Sequence, residues 1–302
     1  MQLSRSRAIY LVLATAVAPV LWGTTYWTTT ELLPPGRPML SATLRALPVG
    51  LLLLLATRTL PSRDTLRRLA VLGGLNIGAF FALLFVAAYR LPGGTAATLT
   101  ALQPIFALGL TAWWVKTPTG RGQLAAAVTG VVGVSLVVGA SPSHLDALGV
   151  LAALAAAGSM ALGIVLTRRW ALPVSALQST AWQLTFGGML CLPPLLLLEG
   201  LPGMLTEREI AGYLYLALIS TGFAYVLWLR GVAALPVARV STLALLSPVT
   251  AVIIDWAALG TALSTAQAVG VALVLLGILA AQLARPPQPR RPIVLRPHPA
   301  AS

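Results

Sequence analysis

Charged side chains lie inside or beside long apolar stretches at three positions of this chain. Arg45 lies about six residues into the stretch 39–56, Asp255 lies within 236–258, and Glu31 directly follows the first stretch. A charge inside a membrane costs at least ~2.5 kcal/mol unless it is paired or hydrated, so each is a functional candidate. Arg45 can attract a substrate carboxylate or pair with either acid; alternatively, its long side chain reaches the headgroups. Asp255 and Glu31 can carry a coupling proton; alternatively, they are carboxylates at the membrane interface.

Neutral polar and aromatic side chains accompany these charges within the apolar stretches. Hydroxyl and amide groups can hold a small polar molecule by hydrogen bonds, and Trp and Tyr add a polar edge to a ring face. We therefore predict a central substrate cavity formed by Trp22, Thr24, Thr25, Tyr26, Arg45, Asn76, Gln103 and Gln183. The alternative for the cluster from Trp22 to Tyr26 is helix packing, because small and hydroxyl residues mediate helix contacts in membranes.

The sequence lacks the residue sets that most enzymes need. His144 and His298 lie in a loop and in the tail, and Cys191 is the single cysteine, so no metal-binding cluster and no internal disulfide is predicted. There is no phosphate-binding glycine loop and no paired catalytic set, which argues against ATP as the energy source and against an enzyme. We predict no cofactor. The net charge of +13 resides in short loops between apolar stretches, which argues against nucleic acid as a partner.

Long apolar stretches dominate the chain. It is 58% hydrophobic and 9% charged, whereas a soluble domain is about a quarter charged. Each stretch is long enough to cross a hydrocarbon core of roughly 30 Å, and lipid-exposed backbone must be helical. The first stretch is too long for a signal peptide and precedes no soluble domain. The fold class predicted is an all-α membrane protein with ten spans, near 8–30, 39–56, 69–89, 94–116, 122–140, 147–167, 175–198, 210–230, 236–258 and 264–284.

The spans repeat as two sets of five. Pro92, Pro104, Gln123 and Gly133 recur 144 residues later as Pro236, Pro248, Gln267 and Gly277, while Gly50 recurs 138 residues later as Gly188. Because five is odd, the second set enters the membrane from the opposite face, as in the inverted repeats of secondary transporters. We predict the first repeat at 8–140 and the second at 147–284. Pro104 and Pro248 are hinge candidates, because proline removes a helical hydrogen bond and kinks the helix.

Basic residues predict the orientation. The loops on one side of the ten predicted spans hold fifteen Lys and Arg residues, and those on the other side hold three. The positive-inside rule then places both termini in the cytoplasm of a multi-pass protein of the inner, or plasma, membrane. Residues 285–302 are rich in Pro and Arg and are predicted to form a disordered cytoplasmic tail. Glycines at 130, 133, 270 and 277 are expected to allow close helix contacts.

Short motifs add a resemblance to a known family. The first half carries Trp22-Gly23-Thr24-Thr25-Tyr26, Leu33-Pro34-Pro35 and Arg45-Ala46-Leu47-Pro48, and the second carries Ala181-Trp182-Gln183, Ser247-Pro248, Gln267 and Gly277. In order and spacing they resemble the EamA domains of the drug/metabolite transporter superfamily over about residues 8–284. The opening stretch is similar to a bacterial branch that includes a pigment exporter. The resemblance implies ten spans and secondary-active export of small metabolites.

The chain departs from the family pattern at one pair of positions. Many relatives carry a Gly-Glu pair after the fourth and ninth spans, where this sequence has Thr117 and Thr261. A role for those carboxylates is therefore not transferred to this chain.

These observations predict an inner-membrane secondary transporter that exports a small metabolite, pigment or drug-like compound by alternating access. An ion gradient, with protons as one candidate, or the substrate gradient drives it. Its partners are then a small-molecule substrate and the lipid bilayer. Two alternatives remain open at this stage: an uptake carrier or exchanger of the same fold, and a membrane enzyme or scaffold subunit.

Overall fold

The computed structural model describes residues 5–58, 60–91, 96, 99–116, 120–138, 146–259 and 264–284. Within these ranges the chain is helical and contains no strand. The helices are α1 (Arg5–Leu32), α2 (Pro38–Thr57), α3 (Arg63–Gly73 and Phe80–Arg90), α4 (Gln103–Trp113), α5 (Arg121–Val138), α6 (Ala147–Trp170), α7 (Ala176–Pro194), α8 (Glu207–Leu214 and Ala224–Ala234), α9 (Val237–Leu243 and Leu246–Leu259) and α10 (Thr265–Leu283). π-Helical segments lie within α3 (Gly74–Ala79), after α7 (Leu195–Glu199) and within α8 (Tyr215–Phe223).

The repeated glutamines of the sequence lie in the first turns of α5 and α10. At α10, Gln267 Oε1 accepts a hydrogen bond from the Ser264 N–H at 2.9 Å, and Ser264 Oγ accepts one from the Gln267 N–H at 3.2 Å. At α5, Gln123 Oε1 accepts from the Gly120 N–H at 3.1 Å. Such side chains satisfy the backbone donors that the first helical turn leaves open. The repeated glutamine therefore marks where each helix begins.

Asp146 begins α6 and joins it to the end of α3. Its Oδ1 accepts a hydrogen bond from the Gly149 N–H at 2.7 Å, and its Oδ2 lies 3.3 Å from Arg90 Nη1. The hydrogen bond from Gly149, with a smaller contribution from the Arg90 charge, lowers the pKa of Asp146 below its ordinary value. The carboxylate therefore stays ionised as both a helix cap and an ion-pair partner.

The packing between helices repeats in the same way as the sequence. Helix α2 packs against α7, and α5 packs against α10. Helix α1 packs against α8 and α9, while α6 packs against α3 and α4. Each contact joins one helix of the first five to one of the last five, and adding five to the first number and subtracting five from the second gives the counterpart. The first and last five helices therefore contribute equivalent surfaces to one shared interface.

Helices α2 and α7 approach most closely at two equivalent glycines. A Cβ atom added to Gly50 would lie 2.6 Å from the Thr185 nitrogen, and one added to Gly188 would lie 2.7 Å from the Leu47 nitrogen. Gly188 lies 138 residues after Gly50, and Thr185 lies 138 residues after Leu47. Each helix therefore presents its glycine to the backbone of the other, and a side chain at either glycine would push the helices apart.

The contact between α5 and α10 follows the same rule. A Cβ atom on Gly133 would lie 2.7 Å from the Gly270 oxygen, and one on Gly277 would lie 2.8 Å from the Gly130 nitrogen. The prediction that these four glycines allow close helix contact is confirmed. These two helix pairs hold the two halves together.

Seven helical stretches are long and apolar enough to cross a membrane by length and composition: Ser6–Thr29, Pro38–Thr57, Arg63–Ala87, Ala147–Trp170, Ala176–Glu199, Glu207–Ala234 and Thr265–Leu283. They carry exposed apolar side chains such as Leu55, which is 71% exposed, and Leu279, which is 54% exposed. An aliphatic exterior of this kind is stable against lipid and unstable against water.

The other three predicted spans, near 94–116, 122–140 and 236–258, fall on α4, α5 and α9. Within the described residues, α4 has 11 residues, α5 has 18, and α9 consists of pieces of 7 and 14 residues. Within the described residues, length and composition therefore support seven spans, and the other three of the ten predicted are not confirmed. Thr117, Thr261 and the predicted tail at 285–302 lie outside the described residues.

The close contact at Gly133 can be tested with one methyl group. We expect Gly133→Ala to lower the melting temperature, because the added Cβ meets backbone that has no room to move and overpacking costs about 1–3 kcal/mol. Gly109→Ala is the matched control, since its added Cβ has nothing within 4 Å and alanine favours helix over glycine by about 1 kcal/mol. Thermal unfolding of both purified variants in detergent measures the difference. A Gly133→Ala variant as stable as Gly109→Ala would contradict the tight contact.

Candidate functional site

A cavity of about 670 Å³ lies between the two halves. Its walls come from α1–α4 and α6 as well as from α8 and α9. Many of its lining residues are repeat equivalents, 138 or 144 positions apart: Trp22 with Met160, Phe81 with Tyr225, Gln103 with Ser247, and Pro104 with Pro248. The cavity is therefore centred on the boundary between the halves, and each half supplies corresponding positions of its wall.

The cavity has the size and lining of a small-molecule site. Pockets that bind drug-sized ligands occupy about 300–1,000 Å³ and are mostly apolar with a few polar groups. Here aromatic and aliphatic side chains dominate, and the lining also includes hydroxyl, amide and guanidinium groups. From its centre the cavity extends to Leu33 and Pro35, beside the connection between α1 and α2. The sequence predicts this connection on the outer face.

Both hinge candidates lie in the cavity wall beside a break in a helix. Helix α4 begins at Gln103 after a turn at residues 101–102, and α9 is interrupted by a turn at residues 244–245. Pro104 and Pro248 follow these turns and line the cavity. Proline cannot donate a backbone hydrogen bond, so each helix lacks one bond next to its break. The two halves are therefore weakened at equivalent places that both face the cavity.

Arg45 is buried in the cavity wall, where it is 3% exposed. Its Nε donates a hydrogen bond to Thr221 Oγ1 at 2.6 Å, and its Nη2 donates to Ser220 Oγ at 3.4 Å. Its guanidinium carbon lies 4.7 Å from the centre of the Phe81 ring, within range of a cation–π interaction. Both hydroxyls belong to the π-helical segment of α8. The Arg45 guanidinium, which belongs to the first half, is thus hydrogen-bonded to hydroxyls of the second half.

Trp22 lies in an aromatic cluster of the cavity wall. Its ring centre lies 5.1 Å from that of Tyr225 and 4.9 Å from that of Trp228, at the tilted and edge-on angles that aromatic pairs prefer. Among the described residues, neither Trp22 Nε1 nor Gln103 Nε2 has a hydrogen-bond partner. A buried donor without a partner costs about 1–3 kcal/mol. Two cavity residues therefore carry hydrogen-bonding capacity that the described protein groups do not use.

The other candidates of the α1 cluster have different positions. Thr25 lines the cavity, and its hydroxyl lies 3.2 Å from that of Ser220. Thr24 does not line the cavity; its hydroxyl contacts the Tyr215 hydroxyl at 2.8 Å and joins α1 to α8. The side chain of Tyr26 lies outside the described residues. The cluster thus serves both of the roles considered for it, cavity wall at Trp22 and Thr25 and helix packing at Thr24.

Asn76 and Gln183, two further cavity candidates, do not line the cavity. Asn76 Nδ2 donates a hydrogen bond to Gln183 Oε1 at 2.8 Å, and both residues are buried between α3 and α7. By repeat position, Asn76 corresponds to Ser220 and Gln183 corresponds to Arg45. Of these two equivalent contacts between the halves, the one between Asn76 and Gln183 is thus packed shut, while the one between Arg45 and Ser220 lies beside the cavity.

The coupling candidates lie away from the cavity or outside the described residues. Glu31 Oε2 lies 3.7 Å from Arg208 Nη2, and the Glu31 side chain is 51% exposed. An exposed ion pair of this kind contributes little to stability, about 0–1 kcal/mol. The Asp255 side chain is not among those described. Proton coupling through either residue therefore remains a prediction.

Basic residues at the end of α6 contact the ends of α8 and α4. Arg168 Nη1 donates to the Ala233 carbonyl of α8, and Arg169 Nη1 donates to the Trp114 carbonyl, just beyond α4, at 3.3 Å. The Arg169 guanidinium also lies over the Trp114 ring, 5.2 Å from its centre. Neither these contacts nor the π-helical segments were predicted from the sequence.

Apolar-faced helices that enclose a cavity between two repeats define a polytopic membrane protein with a small-molecule site. The EamA-like transporter family matches residues 8–139 and 147–281. Protein PecM of Dickeya dadantii (strain 3937) is 42% identical over 267 residues, which cover 88% of this chain and 90% of that protein. A probable amino-acid metabolite efflux pump of Salmonella typhimurium (strain LT2) is 29% identical and covers 68% of this chain and 72% of its own.

One solved structure has the same fold. It superimposes with a TM-score of 0.75 over 90% of this chain and 97% of its own, at 23% sequence identity. The chain belongs to the EamA-like transporter family. It is a membrane transporter with two EamA domains and not an enzyme, since its family is one of transporters and one relative is named as a probable efflux pump.

Two serines of α9 provide a test of the cavity. Ser247 lines the cavity, whereas Ser241 is 0% exposed and donates its hydroxyl to the Val237 carbonyl at 2.8 Å. We expect a polar thiol reagent to modify Ser247→Cys quickly and Ser241→Cys slowly in detergent. The native chain is the background control, because its single cysteine, Cys191, is buried. Mass spectrometry over time measures the modification. Equal rates for the two variants would contradict the assignment of the cavity.

Proposed function

We propose that this chain crosses the plasma membrane ten times as two inverted repeats, residues 8–140 and 147–284, and exports a small organic compound by alternating access. The matched packing of α1 with α8 and α9, and of α6 with α3 and α4, supports the inverted arrangement. The interrupted helices α4 and α9 then complete the ten spans, which membrane proteins tolerate where the break faces a cavity.

The observation that carries this proposal is the cavity with paired walls and paired breaks. A ligand there touches both halves, so a rocking motion of one half against the other changes access to the ligand from each face. The breaks before Pro104 and Pro248 allow the ends of α4 and α9 to move independently of the rest of each helix. Because the breaks are equivalent, α4 and α9 can bend at the same place in their respective halves.

The contacts at the end of α6 hold one face closed. The cavity extends toward the α1–α2 connection, whose repeat equivalent is the α6–α7 connection at the other face. In alternating access the equivalent face must open in turn, so the contacts of Arg168 and Arg169 with the carbonyls beside α8 and α4 must break. These contacts are therefore part of the inner gate in this proposal.

Export is the direction that we assign to this transporter. The similarity to a protein named as an efflux pump supports it. The excess of basic residues in one set of loops supports cytoplasmic termini, which place the α6–α7 connection inside the cell. The driving force in this proposal is an ion gradient or the gradient of the substrate itself.

Comparative metabolite profiling of culture medium tests the proposal. Cells express the native chain, a Trp22→Ala variant or an Arg208→Ala control at equal membrane levels. We expect at least one compound to accumulate outside cells with the native chain and the control, and about tenfold less with Trp22→Ala, since about 1.4 kcal/mol of lost ring contact has that effect. Arg208 is a suitable control because it lies on the surface, in the pair with Glu31.

Two results of the same experiment would contradict parts of the proposal. A compound depleted from the medium only by the native chain would replace export with uptake. Media that do not differ among native, variant and empty-vector cells, together with no flux of the profiled compounds in liposomes, would contradict transport through this cavity.

A further inference from the structure

We propose that the cavity selects its occupant by charge: it binds flat aromatic compounds with an anionic or carbonyl acceptor group and disfavours organic cations. This inference rests on the proposed function and specifies the substrate class of the same site. It follows from the chemistry of the side chains in the wall and from the way in which the repeat equivalents differ.

Ring faces dominate the hydrophobic part of the wall. Trp22, Phe80, Phe81, Phe85 and Tyr225 all line the cavity. Phe81 packs edge-on against Tyr225 with ring centres 6.2 Å apart, so these rings form a continuous aromatic surface. Aromatic side chains favour offset or edge-on contact with another ring, with a gain of about 0.5–1.5 kcal/mol beyond simple burial. A flat aromatic ligand therefore fits this wall better than a compact aliphatic ligand.

The polar part of the wall is rich in donors. Arg45 supplies a guanidinium, which carries only N–H donors and keeps its positive charge at any physiological pH. The lining residues Trp22 and Gln103 carry two further donors, Nε1 and Nε2, which are buried and have no hydrogen-bond partner among the described residues. A carboxylate or carbonyl oxygen complements such groups. An ammonium group complements none of them and would bring a second positive charge close to Arg45.

The two halves differ in charge at the position of Arg45, because only the first half has a charged residue there. The position equivalent to Arg45 in the second half is Gln183, which is neutral and bonds to Asn76 inside a helix contact. Arg45 instead lines the cavity and contacts Thr221 and Ser220. Of the two equivalent positions, the one at the cavity is therefore the one that carries a charge. A role toward the cavity contents accounts for it.

Three probes with one ring system test this selection: 2-naphthoate, 2-naphthamide and (2-naphthylmethyl)trimethylammonium. Each is titrated against the purified full-length chain in nanodiscs, and the rise in melting temperature gives an apparent affinity. We expect the anion to bind at least about tenfold more tightly than the cation, with the amide between them.

Three substitutions locate the effect. Arg45→Gln installs the residue type of the repeat equivalent, and we expect it to remove the preference for the anion over the cation while it changes amide binding little. Arg45→Lys keeps the charge and should keep the order of the three probes. Arg208→Gln is the matched control, because it removes an arginine from a surface ion pair, and it should leave all three affinities unchanged.

Several results would overturn the inference. The first is that the cation binds the native chain as tightly as the anion does, or that no probe binds the folded protein. The second is that a folded Arg45→Gln variant keeps the preference for the anion. The third is that Arg208→Gln loses this preference as fully as Arg45→Gln does. If Arg45→Gln fails to fold, the order of the three probe affinities in the native chain and in Arg45→Lys tests the inference. Flux of naphthoate into liposomes is measured separately: binding preference without flux refutes transport of this class, and flux without preference refutes only the charge selection.

Discussion

The close approach of helix backbones at paired glycines is the contact on which the rest of the structure depends. In lipid, apolar side chains gain little from contact with one another, so helices associate through close packing and polar bonds. Gly50 and Gly188 join α2 to α7, and Gly133 and Gly277 join α5 to α10. Each of these pairs takes one helix from each half. The two halves are thereby joined at two places, and the cavity lies among α1–α4, α6, α8 and α9.

A symmetric scaffold of this kind can carry an asymmetric site. Trp22 and Met160 occupy equivalent places in the cavity wall, as do Gln103 and Ser247. The larger or more polar member of each pair comes from the first half. Arg45 extends the same asymmetry to charge. The repeat therefore fixes where the cavity lies, while substitutions at a few equivalent positions determine its chemistry.

The repeat also explains how far the sequence alone could predict the structure. Residues that recur at one offset must do the same thing twice, and the glycines, the capping glutamines and the prolines beside the helix breaks do so. Asn76 and Gln183 show where this reasoning ends, because a polar residue in a span can face either a cavity or another polar residue. The turns that interrupt α4 and α9 are also invisible to hydropathy, since apolar residues continue through a break in the backbone hydrogen bonds. The π-helical segments left no pattern that side-chain periodicity detects.

The polar contacts of the cavity wall connect one half to the other. Arg45 of α2 is bonded to Thr221 of α8, Thr25 of α1 contacts Ser220 of α8, and Trp22 of α1 packs on Tyr225 of α8. A ligand shifts a conformational equilibrium only by as much as its affinities for the two states differ. A site enclosed within one rigid half would keep the same affinity as the halves move. Because this wall is assembled across the boundary, any relative motion of the halves changes the contacts that a ligand meets, and occupancy and conformation are thereby coupled.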